Sequence, residues 1–170
     1  MEVRKISLED KNAFQRFEEA MLRDKQINPF VEWWETANFE NYVADSDVSE
    51  VKKEGQSWST FTRYFAFEDE QILGMLICFW EIQHPDCQKL GHLGYMVAPA
   101  FRKQGVAFEL VQYGLERYRE KGISNIYIAM DEKNVASRKT AEKAGGILLG
   151  TFDINHQGQK IQSVNYEVHL

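Results

Sequence analysis

The segment Arg102-Lys103-Gln104-Gly105-Val106-Ala107 places two cations, a glycine and a small residue at a break. Before it an extended run, Tyr95 to Val97, ends near Pro99; after it a helical pattern begins. A helix N-terminus carries backbone N–H groups without partners and a partial positive charge, and an anion satisfies both. Gly105 and Ala107 let phosphate oxygens approach that backbone, and Arg102 and Lys103 add charged donors. The segment has the makings of a pyrophosphate seat; the plain alternative is a strand-to-helix turn with solvated basic residues. Neither GxxxxGK followed by Ser or Thr nor GxGxxG occurs, which sets aside the P-loop and the dinucleotide fingerprint.

The elements that must hold this segment follow from periodicity. Val3 to Ile6 suits a short strand. Ser7 with Asp10 resembles a capping box for a helix over about Leu8 to Asp24, with Phe14, Phe17 and Met21 at helical spacing. After Asn28-Pro29, the residues Phe30, Val31, Trp33, Trp34, Ala37 and Phe39 suggest a second, aromatic-rich helix, and Asp45 to Glu54 a solvated helix end or loop. From Ser59 the period becomes two: a strand through Phe61–Phe67, a turn at Glu68–Gln71, a mostly apolar strand over Ile72–Ile82, a turn at His84-Pro85-Asp86, and a strand over Leu90–Val97. A long helix bearing Ala107, Leu110, Val111, Gly114, Leu115 and Tyr118 stops at Gly122. A strand with Ile126, Ile128 and Met130 follows, then a helix from Asn134 to Gly145-Gly146. Two strands, Ile147–Phe152 and Ile161–Val168, close the chain. The order β-α-α-β-β-β-α-β-α-β-β predicts a mixed α/β fold, a mostly antiparallel central sheet flanked by helices.

The 170 residues, 44% hydrophobic and 27% charged, fit one globular domain spanning 1–170. A net charge of -6 disfavours a general nucleic-acid binder, which needs a basic face. Cys78 and Cys87 have neither disulfide-framework nor metal-ligand spacing, and read as reduced thiols. The charged N-terminus lacks a signal-peptide core, and the apolar run Ile72–Trp80 is too short to span a bilayer. The expectation is a cytoplasmic protein with no membrane, nucleic-acid or metal partner; a homodimer is compatible with all of this.

The stretch Gly91 to Gly146 resembles the GNAT acetyltransferase superfamily, and a bacterial branch of it in particular. "RKQGVA" is similar to the family signature Gln/Arg-x-x-Gly-x-Gly/Ala, and "IYIAMDEKNVASRKTAEKAGG" to its later strand and helix, with Asn134 at the family asparagine. The resemblance implies acetyl-CoA as donor. It puts the pyrophosphate on the backbone of Gln104, Gly105, Val106 and Ala107. The free strand edge of Tyr95, Met96 and Val97 would pair with the pantetheine arm, and Asn134 and Ser137 would lie near the pantetheine or phosphates. Asn134 equally suits a simple helix cap.

Transfer to an amine needs an unprotonated nucleophile, a stabilised oxyanion and a leaving thiolate. Many family members carry a tyrosine as acid for the thiolate; the matching position here is Ala141. Ser137, Tyr127 and Tyr166 are the substitutes. A thiolate, of pKa about 8.5, also leaves tolerably without full protonation. For the base, His92 and Glu81 are the candidates, each with a structural alternative: a strand histidine and a solvated strand end. Phe30, Trp33, Trp34 and Trp80 could line an acceptor pocket, or be core. The expected function is acetyl transfer from acetyl-CoA to a small-molecule or peptide amine in a ternary complex. A silent CoA-binding sensor and an O-acyltransferase are the alternatives.

Overall fold

The computed structural model describes residues 1–170. Strand β1 (Glu2–Arg4) leads through a 3₁₀ turn (Leu8–Asp10) into helix α1 (Lys11–Lys25), then α2 (Phe39–Val48), β2 (Phe61–Glu68), β3 (Gln71–Phe79), α3 (Pro85–Leu90) and β4 (Leu93–Val97). A second 3₁₀ turn (Pro99–Phe101) precedes α4 (Val106–Glu120), β5 (Asn125–Asp131), α5 (Val135–Lys143), β6 (Ile147–His156) and β7 (Gln159–His169). The expected order therefore stands, with α3 added.

The strands form two antiparallel sheets, β1-β2-β3-β4 and β5-β7-β6. One face of the first sheet buries Phe65, Phe67, Ile72 and Met75 against Phe14, Phe17 and Met21 of α1. The opposite face packs Leu76, Cys78, Leu93 and Val97 against Leu110, Val111 and Leu115 of α4, and this core continues through Ile126, Ile128, Val164 and Tyr166 of the second sheet. Helices on both sides explain why β2 and β3 are apolar on both faces rather than strictly alternating.

The entry to α1 follows the capping-box reading: the Asp10 carboxylate accepts from the Ser7 N–H at 2.7 Å. Two boundaries differ from expectation. Residues 26–38 are irregular, because side chains satisfy the backbone there. Asn28 Oδ1 accepts from the Phe30 N–H, the Glu18 carboxylate accepts from the Trp33 indole and the Thr36 N–H, and Lys25 donates to the Trp33 carbonyl. The second helix starts at Phe39, where Asn38 caps the Asn41 N–H at 2.8 Å, and its end takes in Asp45 to Val48 of the segment read as a solvated helix end or loop. His84-Pro85-Asp86, read as a turn, opens α3: His84 Nδ1 accepts from the Asp86 N–H and Pro85 occupies the first helical position. No helix is long and apolar enough to cross a membrane.

Candidate active site

The two sheets meet at one place and then part. Gly91 forms a single bridge to Ile128, and the His92 N–H donates to the Tyr127 carbonyl at 2.8 Å. Gly91 sits at a φ of +90°, and a Cβ built on it would lie 2.9 Å from Ala129 N. Only glycine permits both this backbone and this approach. The imidazole of His92 fixes the junction. Its Nδ1 accepts from the Tyr127 N–H at 2.8 Å, which leaves Nε2 to donate to the Ile82 carbonyl at 2.9 Å. The ring is 1% exposed, and burial pushes its pKa below the ordinary value. A neutral ring bonded at both nitrogens is a clasp; it has no free lone pair for an incoming proton.

Beyond the junction β4 has a partner on one edge only. The Phe79 N–H donates to the His92 carbonyl and the Ala98 N–H to the Leu73 carbonyl. With Leu76 opposite Tyr95, antiparallel alternation then turns the N–H and C=O of Leu93, Tyr95 and Val97 away from β3, toward the gap. The next link between the halves is the Tyr95 hydroxyl, 2.9 Å from Ser137 Oγ and 3.0 Å from the Ser137 carbonyl at the start of α5. Burial pushes the Tyr95 phenol up to about 12. Met96 turns the other way and packs against the α1 core.

At the far end of β4 lies the glycine segment. Lys103 and Gly105 both hold positive φ, +61° and +86°. The N–H groups of Lys103, Gln104 and Gly105 make no hydrogen bond, and those of Val106, Ala107 and Phe108 are the open donors of the first turn of α4. A Cβ on Gly105 would meet nothing within 4 Å. The result is a run of unpaired donors at the N-terminus of a 15-residue helix, open to an anion. Lys103 is exposed and forms no ion pair. Arg102 is committed elsewhere: its guanidinium bonds the buried Asp24 at 2.5 Å and the Val97 carbonyl at 3.0 Å, tying α1 to the end of β4. Gln104 bonds the Ala100 carbonyl. Asn134 caps α5, accepting from the Ser137 N–H at 3.3 Å.

The other two catalytic candidates are bonded to other side chains. Glu81 binds Lys52 at 3.0 Å and the Thr60 N–H at 2.7 Å, and these bonds hold its carboxyl below the usual range. That direction opposes a role as base. The Tyr166 hydroxyl donates to Glu142 at 2.7 Å and accepts from Arg138 at 3.1 Å, both on α5; burial and the bond to Glu142 raise its pKa. Ala141 is fully buried in the same core as Tyr166. Replacing Tyr166 by Phe should lower turnover less than tenfold, well short of the 10²–10⁴-fold that a positioned acid contributes, as steady-state kinetics would show. Among the aromatics, Trp33 is core against Phe14 and Phe17, Trp34 is exposed beneath Lys25, and Trp80 packs on Tyr118 with its indole bonded to Thr62.

The sequence reading passed over two polar groups. It valued Tyr95 for its backbone, whereas strand parity, legible in LGYMV, sends its hydroxyl across the gap to Ser137. It also gave no role to Asn165, a buried amide on β7.

The His92 clasp has a consequence for stability. Because its native pKa is depressed, the unfolded chain takes up a proton first as pH falls below about 6.5. Stability present above that pH is lost progressively on acidification. Urea midpoints should therefore fall between pH 7 and 5, and His92→Gln should flatten that slope while lowering stability at pH 7.

Residues 20–146 match the Acetyltransferase (GNAT) family. The chain belongs to this family. No curated protein sequence matches it. Among solved structures it is similar to the ribosomal-protein-alanine N-acetyltransferase of Brucella melitensis, with a TM-score of 0.71 at 18% identity over 100% of both chains. It is also similar to RimL, a ribosomal L7/L12 α-N-protein acetyltransferase solved with coenzyme A, with a TM-score of 0.74 at 18% identity over 99% of this chain and 93% of that one. It is similar as well to yncA of Salmonella typhimurium, solved with its cofactor acetyl-CoA, with a TM-score of 0.70 at 13% identity over 99% of this chain and 92% of that one. GNAT enzymes use acetyl-CoA, so this chain is an acetyl-CoA-dependent acetyltransferase, and the parted strands with the open loop suit that donor.

Proposed function

We propose that residues 1–170 act as one domain that moves an acetyl group from acetyl-CoA directly to an amine. The observation carrying this reading is the gap itself: a free β4 edge that ends at a run of unpaired N–H groups. Gln104 to Ala107 would hold the pyrophosphate, with Lys103 as the free cation beside it. The outward N–H and C=O of Tyr95 and the N–H of Val97 would pair with the pantetheine arm, and an N–H there would hold the carbonyl oxygen as charge develops. Asn134 and Ser137 would sit beside that arm. Arg102 acts indirectly in this account, by fixing the loop through Asp24.

The bond to nitrogen forms as the bond to sulfur breaks; the amine gives up a proton and the thiolate takes one. Ser137 and Tyr95 are hydroxyls at the gap that could supply it, each refilled from solvent. Cys78 is buried with its thiol pushed up to about 12, and Cys87 is buried with its thiol also raised. Neither is set up as a nucleophile, which favours direct transfer.

His92 and Glu81 are committed, so proton removal falls to solvent and to the acceptor itself. A peptide α-amine, of pKa about 7.7–8.0, is partly neutral at pH 7.5; a lysine-like amine, of pKa about 10.4, is not. The pH profile of kcat/KM should therefore move with the pKa of the acceptor. A profile fixed across acceptors would reveal a base within the protein. Thiol release from acetyl-CoA across a panel of amines and alcohols, with products identified by mass spectrometry, tests the reaction. The committed state of both base candidates supports a second reading, a silent CoA-binding module; CoA binding without thiol release to any acceptor would favour it.

A further inference from the structure

Along β7, Val164, Tyr166 and Val168 belong to the core beneath α4 and α5. Alternation turns Ser163, Asn165 and Glu167 to the opposite face. Asn165 is only 8% exposed and Ser163 only 2%. A buried amide normally has its polar atoms bonded. Here one end of the Asn165 amide has a single, long bond, 3.4 Å from Ser163 Oγ, and the other end has none. This holds whichever way the oxygen and nitrogen are assigned. The amide nitrogen is not fully enclosed and keeps a path to solvent.

The cross-strand neighbours of Asn165 are small. Directly opposite are Ala129 on β5 and Gly150 on β6, the latter just after a register shift between Leu148 and Gly150. On the same face lie Tyr127, two residues along β5, and Phe152, whose ring lies 3.6 Å from a Cβ built on Gly150. Ala129 also abuts Gly91 at the junction of the sheets, so this amide is one strand away from the point where the gap opens. By register Tyr127 and Phe152 flank it diagonally, and two carboxylates share its face: Asp131, opposite Ser163, which accepts from the Lys133 N–H, and Glu167, which Asn125 binds.

Building on the acetyl-transfer reading above, we infer that Asn165 binds the acceptor, through an amide group that the acceptor carries beside its amine. A primary carboxamide offers donors and acceptors together, and its complement is another amide; a simple aliphatic amine matches it poorly. A site built to pair such a group rejects ligands that lack it, because its own polar atoms would then stay unpaired. Ser163 steadies the amide from below. The class of acceptor this selects is an α-amino amide, the group at the start of a peptide, over a free alkylamine.

The test is binding to the CoA-loaded full chain, with alanyl-alaninamide and n-propylamine as the two probes, followed by calorimetry and by the side-chain amide shifts of Asn165. Wild type should bind the dipeptide amide at least tenfold more tightly than n-propylamine. Asn165→Ala should lose that preference with CoA affinity unchanged. Should Ala at this buried site impair folding, the near-isosteric Asn165→Asp serves: it lacks the N–H donors, so dipeptide amide binding should fall tenfold while n-propylamine binding holds or rises. Equal affinity for the two probes in wild type, no binding of the dipeptide amide, or an unchanged preference in a folded variant would overturn the inference. Failure of wild type to bind CoA would instead count against the donor site, and the two failures are thus told apart.

Discussion

Gly105→Glu should lower the affinity for coenzyme A at least a hundredfold and leave the fold intact. Gly105 has a φ of +86° and open space where a Cβ would go. The substitution therefore costs about 1–2 kcal/mol of backbone strain and no packing. The new carboxylate would stand among the donors from Lys103 to Phe108, where the pyrophosphate must come. Two unit charges 4 Å apart repel by about 4 kcal/mol at an effective dielectric of 20, and each 1.4 kcal/mol is about tenfold in affinity. Gly105→Ala bears the strain without the charge and should lose much less. Calorimetry with circular dichroism on wild type and both variants separates the two effects. A folded Gly105→Glu protein that binds CoA normally would place the pyrophosphate elsewhere.

The second large effect is expected at the junction. Gly91→Ala combines a φ of +90° with a built Cβ 2.9 Å from Ala129 N and 3.2 Å from the Tyr127 carbonyl, both backbone atoms that cannot swing aside. Left-handed strain of about 1–2 kcal/mol and overpacking of about 1–3 kcal/mol together give about 2–5 kcal/mol. For a chain of this size that is a Tm loss of roughly 5–20 °C. The His92 bonds to Tyr127 would be stretched as well, so the origin of the gap shifts and CoA affinity should fall with stability. Gly94→Ala is the control: its built Cβ touches only Ile77 Cγ2, at 3.3 Å, and its φ is ordinary. Calorimetric melting in which Gly91→Ala and Gly94→Ala lose the same small amount would contradict this account of the junction.

Local chemistry carried most of what the sequence could convey. The strands β5 and β7 and the helices α1 and α4 were legible from their period, β2 and β3 from apolar runs bounded by turn residues, and α5 from Asn134 and Gly145 at its ends; Gly122 and Gly145 stop helices with the positive φ expected of C-terminal glycines. The open helix mouth was legible from the glycine and small residues that follow a strand and precede a helical pattern. Residues 26–38 were not. Their aromatic spacing is helical, but Glu18, far away in sequence, takes the Trp33 and Thr36 N–H groups, and a tertiary bond outweighs a local period. The Arg102–Asp24 pair was likewise hidden, since nothing local announces that Asp24 will meet it. His92 shows the limit most clearly. Strand parity could not say that two backbone groups, on Ile82 and Tyr127, would close on its ring. Asn165 was invisible in sequence because its interest lies in partners it lacks, and only packing reveals those.

The central claim is that the gap between β4 and β5, with the loop at Lys103–Ala107, binds an acyl-CoA donor. Isothermal titration of the wild-type chain with CoA, acetyl-CoA, ATP and NAD tests it most directly. The account predicts saturable binding of CoA and acetyl-CoA at micromolar concentrations, with ATP and NAD at least tenfold weaker, because the free β4 edge recognises the pantetheine arm that those two nucleotides lack. No binding of CoA at millimolar concentration, or ATP and NAD binding as tightly as CoA, would contradict it.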